Sequence, residues 1–402
     1  MPSMLAKLDQ RSLCPAQFLR LEPAPHPSRM TAPRLRPWHL KSPGSEQSAP
    51  QTPRVSLVIP TQRRLRGLAA AARSTFIQAG VDPAHLELVI VDNDETPSAR
   101  PVADALTAQA PFPIHYVHEP RPGVANARNA GLAKASGALI AFLDDDEIAS
   151  EDWLAALMET QARFDADVVF GPVRLKAAER LGDHGVYLEQ FFSREGPGEA
   201  GVIAHYYGCG DSLVRRAALP NPQAPFCTSR NHTGGEDDHL FGTMKERGAR
   251  FAWTPKAVVY ESPSPERLTL GYALARAFVY GQGPTFACAT ANPPDRRGVA
   301  RWMALGALQA CVFGLMAAVH WLLRAPHRAF TLDRAARGLG KLLWWGPFKL
   351  HFYGRPAAQA GERPGVANPD DRTPPRLYLG ALPARKGDRW RAVTERNPIP
   401  GL

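Results

Sequence analysis

The stretch Ala138-Leu139-Ile140-Ala141-Phe142-Leu143-Asp144-Asp145-Asp146-Glu147 sets how the rest of the chain is read. An unbroken apolar run is what a strand buried on both faces requires. It stops at consecutive acids, so the chain leaves its sheet at a strongly charged point. Adjacent carboxylates repel one another, and a divalent cation taking oxygen ligands would compensate them. In an extended chain Asp144 and Asp146 project to the same side, presenting two carboxylates to one ligand. The competing reading is a solvated turn before the next helix, where acidic residues are favoured.

The same grammar continues on both sides. Val55-Ser56-Leu57-Val58-Ile59 is an apolar run closed by Pro60 and Thr61, and Leu86 to Val91 ends in Asp92-Asn93-Asp94. A short strand follows at Ile114 to Val117, and another at Val168 to Phe170. Helical patterns fall between them: about Arg63 to Gln78, with Leu65, Leu68, Ala72 and Phe76 on one face, then Ser98 to Gln109, Val124 to Ala135 and Trp153 to Phe164. Strands alternating with helices predict an α/β fold, a mostly parallel sheet flanked by helices. Ligands of such sheets sit at the carboxyl ends of the strands. Thr61, Asp92 and the Asp144 cluster fall at those ends.

Two further segments carry charge. Gly123-Val124-Ala125-Asn126-Ala127-Arg128-Asn129-Ala130-Gly131 opens a helix after Pro120-Arg121-Pro122. Arg128 supplies a planar cationic fork and the helix start supplies N–H groups, both suited to anions; an outward-facing Arg on an ordinary surface helix is the alternative. Gly234-Gly235-Glu236-Asp237-Asp238-His239 precedes a helical run from Leu240 to Glu246. Here Asp237 or Asp238 serves as an N-cap, or a carboxylate removes the proton of an attacking hydroxyl. A zinc site on Asp238 and His239 lacks further His or Cys at ligand spacing.

The segments Val58 to Thr61, Val91 to Asp94, Gly123 to Gly131 and Phe142 to Glu147 resemble, in order and spacing, the motifs of family 2 glycosyltransferases over about Val55 to Glu261. Gly234 to Asp237, Val259-Tyr260-Glu261 and the Arg276-Ala277-Phe278 to Gly281 stretch are similar to the branch that includes a succinoglycan glucosyltransferase. The resemblance implies a GT-A fold. It also implies inverting transfer from a nucleotide-sugar donor, with a UDP-sugar expected, to a hydroxyl of a lipid-linked or saccharide acceptor in cell-surface or exopolysaccharide synthesis. By the same likeness Pro60, Thr61, Asp92, Asn93 and Arg128 border the donor base and ribose, although Asn93 stands where many relatives have a second Asp. Asp144 would reach the ribose or the metal, Asp146 would ligate Mn²⁺ or Mg²⁺, and Asp145 could substitute for either. Asp237 would be the base, with Glu236 beside it. The Gln-x-x-Arg-Trp of processive members does not occur, which favours addition of a single sugar. A sugar-nucleotide pyrophosphorylase would need a Gly-rich loop after the first strand, and Pro60-Thr61-Gln62-Arg63 has no glycine. A catalytically inactive nucleotide- or lipid-binding module would be expected to have lost Asp146 or Asp237.

Composition sets limits around this core. With 402 residues, 44% of them hydrophobic, the chain buries a sizeable core, which excludes a wholly disordered protein and a disulfide scaffold. Lys and Arg number 48 against 38 Asp and Glu, a net charge of +10 that suggests an anionic partner. The basic residues gather in the chain ends and beside apolar helices, without interleaved aromatics, which argues against nucleic acid. The five cysteines share no spacing, as expected in a reducing compartment, and the N-terminus shows no secretory signal. The expected layout is a disordered Pro-rich arm at 1–54, a catalytic domain at 55–290, apolar and basic membrane-associated helices at 291–353 and a disordered Pro/Arg-rich tail at 354–402.

Trp302 to Leu323 is 22 residues without Asp, Glu, Lys or Arg, and at about 1.5 Å per residue it matches a bilayer core of about 30 Å. Arg296, Arg297 and Arg301 precede it, and Arg324 and Arg328 follow. A single span would put the Arg-rich tail outside, against the positive-inside tendency. The helix is therefore expected to lie in or re-enter the interface, or to pair with Leu339 to Phe348 as a hairpin, at the cytoplasmic face of the plasma membrane. Arg334, Arg337 and Lys341 would then form a basic stripe for anionic lipid. A helix buried against the catalytic domain is the alternative. Tyr206, Tyr207 and Trp253 are candidates to stack on a sugar ring, or to pack in the core.

Overall fold

The computed structural model describes residues 54–350, apart from 178–180, 232–233, 292 and 349. The arms expected at the two ends fall, but for Arg54, outside the described residues. At the centre lie β1 (Val55–Thr61), β2 (Leu86–Asp92), β3 (Ile114–His118) and β4 (Leu139–Phe142), side by side in the order β3-β2-β1-β4 and all parallel. Their side chains alternate between two cores: Leu57, Ile59, Leu88 and Ile90 point into one, Val58, Val89, Ile140 and Phe142 into the other. Burial on both faces is why the sequence shows apolar runs rather than alternation. The sheet continues through β9 (Ser212–Arg215), β6 (Val168–Phe170), β10 (Phe251–Trp253) and β8 (Gly201–Ile203) to eight strands, of which only β9 and β8 run against the rest. The α/β class and the mostly parallel sheet are as the sequence predicts.

Helices α1 (Leu65–Phe76), α2 (Arg100–Thr107) and α4 (Trp153–Phe164) cover one face through Leu68, Val102, Leu106 and Leu157. Helices α3 (Val124–Lys134) and α6 (Glu236–Glu246) cover the other through Leu132, Leu240 and Phe241. A small second sheet, β5 (Glu147–Ala149), β11 (Val259–Glu261) and β7 (Val173–Leu175), forms in the order β5-β11-β7. It begins directly after the acidic cluster and sets Glu261 opposite Glu147.

Beyond it come α7 (Leu270–Thr290), α8 (Arg296–Leu322) and α9 (Arg328–Leu342). Helix α9 packs between the other two, and glycines permit the contact. A Cβ on Gly281 would strike the Arg337 carbonyl, and one on Gly338 would lie 2.6 Å from the Ala310 nitrogen. This layer is tied to α5 (Gly185–Phe192), whose Tyr187, Leu188 and Phe192 pack with Ala273 and Ala329, while the Tyr187 hydroxyl donates to Asp333 at 3.1 Å. The packing of α7 on α9 argues for a domain boundary before Leu270 rather than after residue 290. Three expectations change here. The partner of α8 is Arg328–Leu342, not the apolar Leu339 to Phe348. The basic stripe turns inward: Arg337 pairs with Asp333 at 2.7 Å and Lys341 donates to Gln309 at 3.0 Å. Helix α8 is also not a core helix, since only its Gly306 and Ala317 are buried.

Candidate active site

Strand β1 ends at half-buried Pro60 and at Thr61, whose hydroxyl donates to Asp145 at 2.8 Å. The chain then turns through Arg63, in the left-handed region at φ 58°, and enters α1. The turn swings Arg64 back over the acidic cluster, with its guanidinium 3.0 Å from Asp145 and 2.6 Å from Asp146. Arg267, just before α7, reaches Asp146 at 2.7 Å. Residues 145 and 146 form a turn because β5 starts at once with Glu147, so the extended geometry expected for Asp144 and Asp146 does not occur. Asp146 faces Arg64 and Arg267, whereas Asp144 faces Arg128 at 3.2 Å. Asp144 is also the most open of the three, with 36% of its side chain exposed against 9% for Asp145 and 13% for Asp146.

Arg128 comes from α3 and is buried. Its fork is spent on Asp144 and on Glu236 in the first turn of α6, and it lies over the Phe226 ring. It is therefore neither an outward-facing surface Arg nor an open fork for a nucleotide. The adjacent Asp237 is half-buried; it accepts the Cys209 N–H at 3.2 Å and the Asp238 N–H at 2.9 Å. Neither Asp237 nor Asp238 is the N-cap of α6. That position belongs to Gly235 at φ 82°, and the acids occupy the first turn, where the helix dipole favours them. Burial, with Asp237 alongside, pushes the Glu236 carboxyl up against the opposing pull of Arg128.

The donor-side residues at the ends of β2 and β3 are bracing groups. Asp92 is fully buried, accepting the Ala99 N–H at 2.7 Å and the Tyr116 hydroxyl at 2.8 Å. The Asn93 amide donates to the Glu119 and Arg121 carbonyls, and its oxygen accepts the Gly123 N–H, each at 2.8 Å. A base contact that needs an N–H of Asn93 would have to break one of these bonds. Gly123 stands at φ 131°, and a Cβ there would collide with Asn231. Asn231 in turn takes the Asn126 N–H at 3.1 Å, so the helix start expected to receive an anion already has a partner.

The turn Cys209-Gly210-Asp211 presses on both clusters. A Cβ on Gly210 would lie 2.8 Å from Asp144 and 2.9 Å from Glu147. Cys209 is buried, and burial pushes its thiol up, so it packs rather than reacts. Tyr207 and Trp253 are core residues in contact with each other, not a sugar platform, and Tyr206 packs on Phe241 and Phe251.

Asp211, fully buried at φ 53°, accepts Trp153 Nε1–H at 2.7 Å and Arg194 at 3.2 Å. Burial outweighs Arg194 and pushes its carboxyl up to about 7, whereas the unfolded chain ionises near about 3.9. The folded state thus keeps a proton that the unfolded chain has lost. This stabilisation is full below about pH 4 and is lost as pH rises through about 7. Thermal unfolding should show Tm falling between about pH 5 and 8, with Asp211→Asn flattening that slope. Asn tolerates the left-handed backbone and still accepts from Trp153. An unchanged slope in the variant would refute the assignment.

The carboxyls of Asp144, Asp145, Asp146, Glu147, Glu236, Asp237 and Glu261 outnumber the guanidiniums of Arg64, Arg128 and Arg267. Burial and the Asp146 charge push Glu261 up to about 8. Hard oxygen donors in negative excess fit Mg²⁺ or Mn²⁺, which commonly take one or two carboxylates and complete their shell from substrate phosphates and water. Among the described residues no three His, Cys, Asp or Glu side chains converge on one point, so the zinc reading of Asp238 and His239 finds no support. Arg64, Arg267 and the Gly210-Asp211 turn were not picked out from sequence, and Glu147 was noted only as the end of the acidic motif. Val259-Tyr260-Glu261 was noted only as a motif, without a place in the site.

Residues 56–221 match the model of glycosyl transferase family 2. The succinoglycan biosynthesis protein ExoM of Rhizobium meliloti (strain 1021) is 35% identical over 238 residues, covering 58% of this chain and 74% of that protein. ExoW of the same organism is 30% identical over 125 residues, covering 30% of this chain and 38% of its own. A mannosyltransferase from Pyrobaculum calidifontis, solved with GDP-Man and Mn²⁺, shares 21% identity at a TM-score of 0.49, covering 74% of this chain and 90% of its own. The parallel β3-β2-β1-β4 core ending in an acidic turn, together with the match over residues 56–221 and the likeness to ExoM, makes the chain an α/β enzyme of glycosyl transferase family 2.

Proposed function

We propose that the protein is an inverting glycosyltransferase that moves one sugar from a nucleotide-sugar donor, a UDP-sugar first, to a hydroxyl of a lipid-linked or saccharide acceptor. The setting is synthesis of a cell-surface or exopolysaccharide, in keeping with the ExoM relative, a succinoglycan biosynthesis protein, and the enzyme would work at the cytoplasmic face of the membrane. The observation that carries the mechanism is the Arg128 bridge, which joins the acidic turn to the helix that bears Asp237. It supports reading the carboxylates proposed for the donor and for the proton as parts of one site.

Asp144, the most open of the three, would hold Mn²⁺ or Mg²⁺, and Asp146 would join it by giving up its pairs with Arg64 and Arg267, while Asp145 stays bonded to Thr61 and Arg64. Such an ion, when bound, supplies positive charge to the donor diphosphate. Asp237 accepts the proton of the acceptor hydroxyl as its oxygen attacks the anomeric carbon. The bond from that carbon to the diphosphate oxygen breaks, and the nucleoside diphosphate leaves with the electron pair. One displacement inverts the anomeric centre and needs no covalent enzyme intermediate. Pro60, Thr61 and Asn93 would border the base and ribose, with the buried Asp92 bracing them from behind.

Calorimetric titration of UDP-, GDP- and dTDP-sugars, with Mn²⁺ and with EDTA, tests the donor half. One nucleotide class should bind in a metal-dependent way, and Asp146→Ala should weaken that binding at least about tenfold, the scale of one charged contact. Binding that ignores EDTA would sink the metal assignment. No binding of any sugar nucleotide would leave a nucleotide-free module in its place.

A further inference from the structure

We propose that α8 lies in the plane of an anionic bilayer surface, with its outer stripe at the boundary of headgroups and acyl chains, rather than crossing the membrane. The inference rests on the reading of the enzyme as working at a membrane, and it specifies how the two meet.

The exposed apolar residues Leu305, Leu308, Val312, Leu315, Val319 and Leu322 recur at steps of three and four, so they share one face, and Leu315 and Leu322 are 72% and 83% exposed. The opposite face is occupied: Gly306 meets Lys341 and Gly338 of α9, and the Gln309 amide donates to the Arg334 carbonyl at 2.8 Å. Over its 27 residues α8 contains an 18-residue window of mean hydropathy 1.8, enough to span by composition. Packing argues against a span. Helix α9 lies along α8 and would enter the hydrocarbon with it, taking Asp333, Arg334, Arg337 and Lys341 along at high desolvation cost. It is also clamped on α7, which α5 holds to the catalytic domain. Only the outer stripe of α8 is left to meet lipid.

The flanks select the partner. Arg296, Arg297 and Arg301 are exposed in the first turns, Arg301 one turn ahead of Leu305 on the same face, and exposed Arg324 follows the helix end. From Arg296 to Leu322 the helix has no Asp or Glu. Guanidiniums at both ends of an apolar stripe match anionic headgroups over acyl chains. A second copy docked here in either direction would set arginine against arginine.

The test uses the full chain. It should co-sediment with vesicles of mixed phosphatidylglycerol and phosphatidylcholine, less with phosphatidylcholine alone, and less again in high salt. Leu308→Asp/Leu315→Asp removes two exposed apolar side chains and should lower partitioning on the order of 100-fold without lowering Tm. Native membranes carrying the protein should release it into alkaline carbonate. Retention after carbonate would establish a span, and a concentration-dependent dimer abolished by the double variant would assign the stripe to a second copy; either overturns the proposal, as does failure to bind both kinds of vesicle. Sugar-nucleotide calorimetry on the same double variant keeps the two readings apart. Donor binding should be unchanged, and its absence in wild type would count against the enzyme reading and not against the placement of α8.

Discussion

Asp237→Asn is expected to slow sugar transfer by about 10²–10⁴-fold, the range of a single general base, with donor affinity held within about twofold. The structure separates the two effects. The carboxylates proposed to face the donor sit on the turn at residues 144–146, while Asp237 reaches the site from α6 and, among the described residues, accepts from the N–H groups of Cys209 and Asp238. An amide still accepts from one of them, and water replaces the other at this half-buried position. Initial rates with a reactive acceptor, beside calorimetry of the donor, measure both quantities. A variant that keeps more than about a tenth of the rate would remove Asp237 from the role, and a parallel collapse of donor binding would make it a structural residue instead.

The second large effect concerns Arg128. Its guanidinium is buried against Glu236, so Arg128→Met leaves that buried carboxylate without its counter-charge, while Asp144, on the open side, keeps its water. Breaking a buried pair from one side typically costs about 3–5 kcal/mol, and chemical denaturation should show a loss of that order. Adding Glu236→Gln to the variant should return part of the stability, because a neutral amide is less costly to bury alone. Transfer should remain low in the double variant, since the direct charged link from α6 to the acidic turn is then gone. Loss of under about 1 kcal/mol in Arg128→Met would mean that the bridge contributes little.

The frame of the fold was readable because burial on both faces writes itself as uninterrupted apolar runs. Leu86 to Val91 and Ala138 to Leu143 could hardly be anything but inner strands, and Trp153 to Phe164 has the helical bounds expected of it. The polar residues at the strand ends were visible for the same reason. Their partners were not. Nothing near Arg64 or Arg267 announces that each will meet Asp146, because ion pairs between distant segments leave no periodicity. Asn93 shows the limit from the other direction. Its residue type suits a base contact, yet its hydrogen-bonding groups brace the ends of β2 and β3 and the Gly123 turn. The start of α6 was placed late because Glu236-Asp237-Asp238 carries no apolar rhythm. Helix α7 carries no clear apolar face in its run of Ala, Gly and aromatics, so its packing on α9 could not be read from sequence.

The three arginines that face the acidic cluster enter it from separate stretches of chain: Arg64 follows β1, Arg128 lies in α3, and Arg267 precedes α7. The boundaries of the family match, 56–221, enclose the first two and the whole acidic turn, but stop short of Glu236, Asp237 and Arg267. A piece cut at those boundaries would hold the acidic turn with one counter-charge missing and would lack the proposed base. The catalytic unit is therefore longer than the stretch by which its family is recognised, and dissection of this enzyme must carry the chain past Arg267 to keep the site electrically whole.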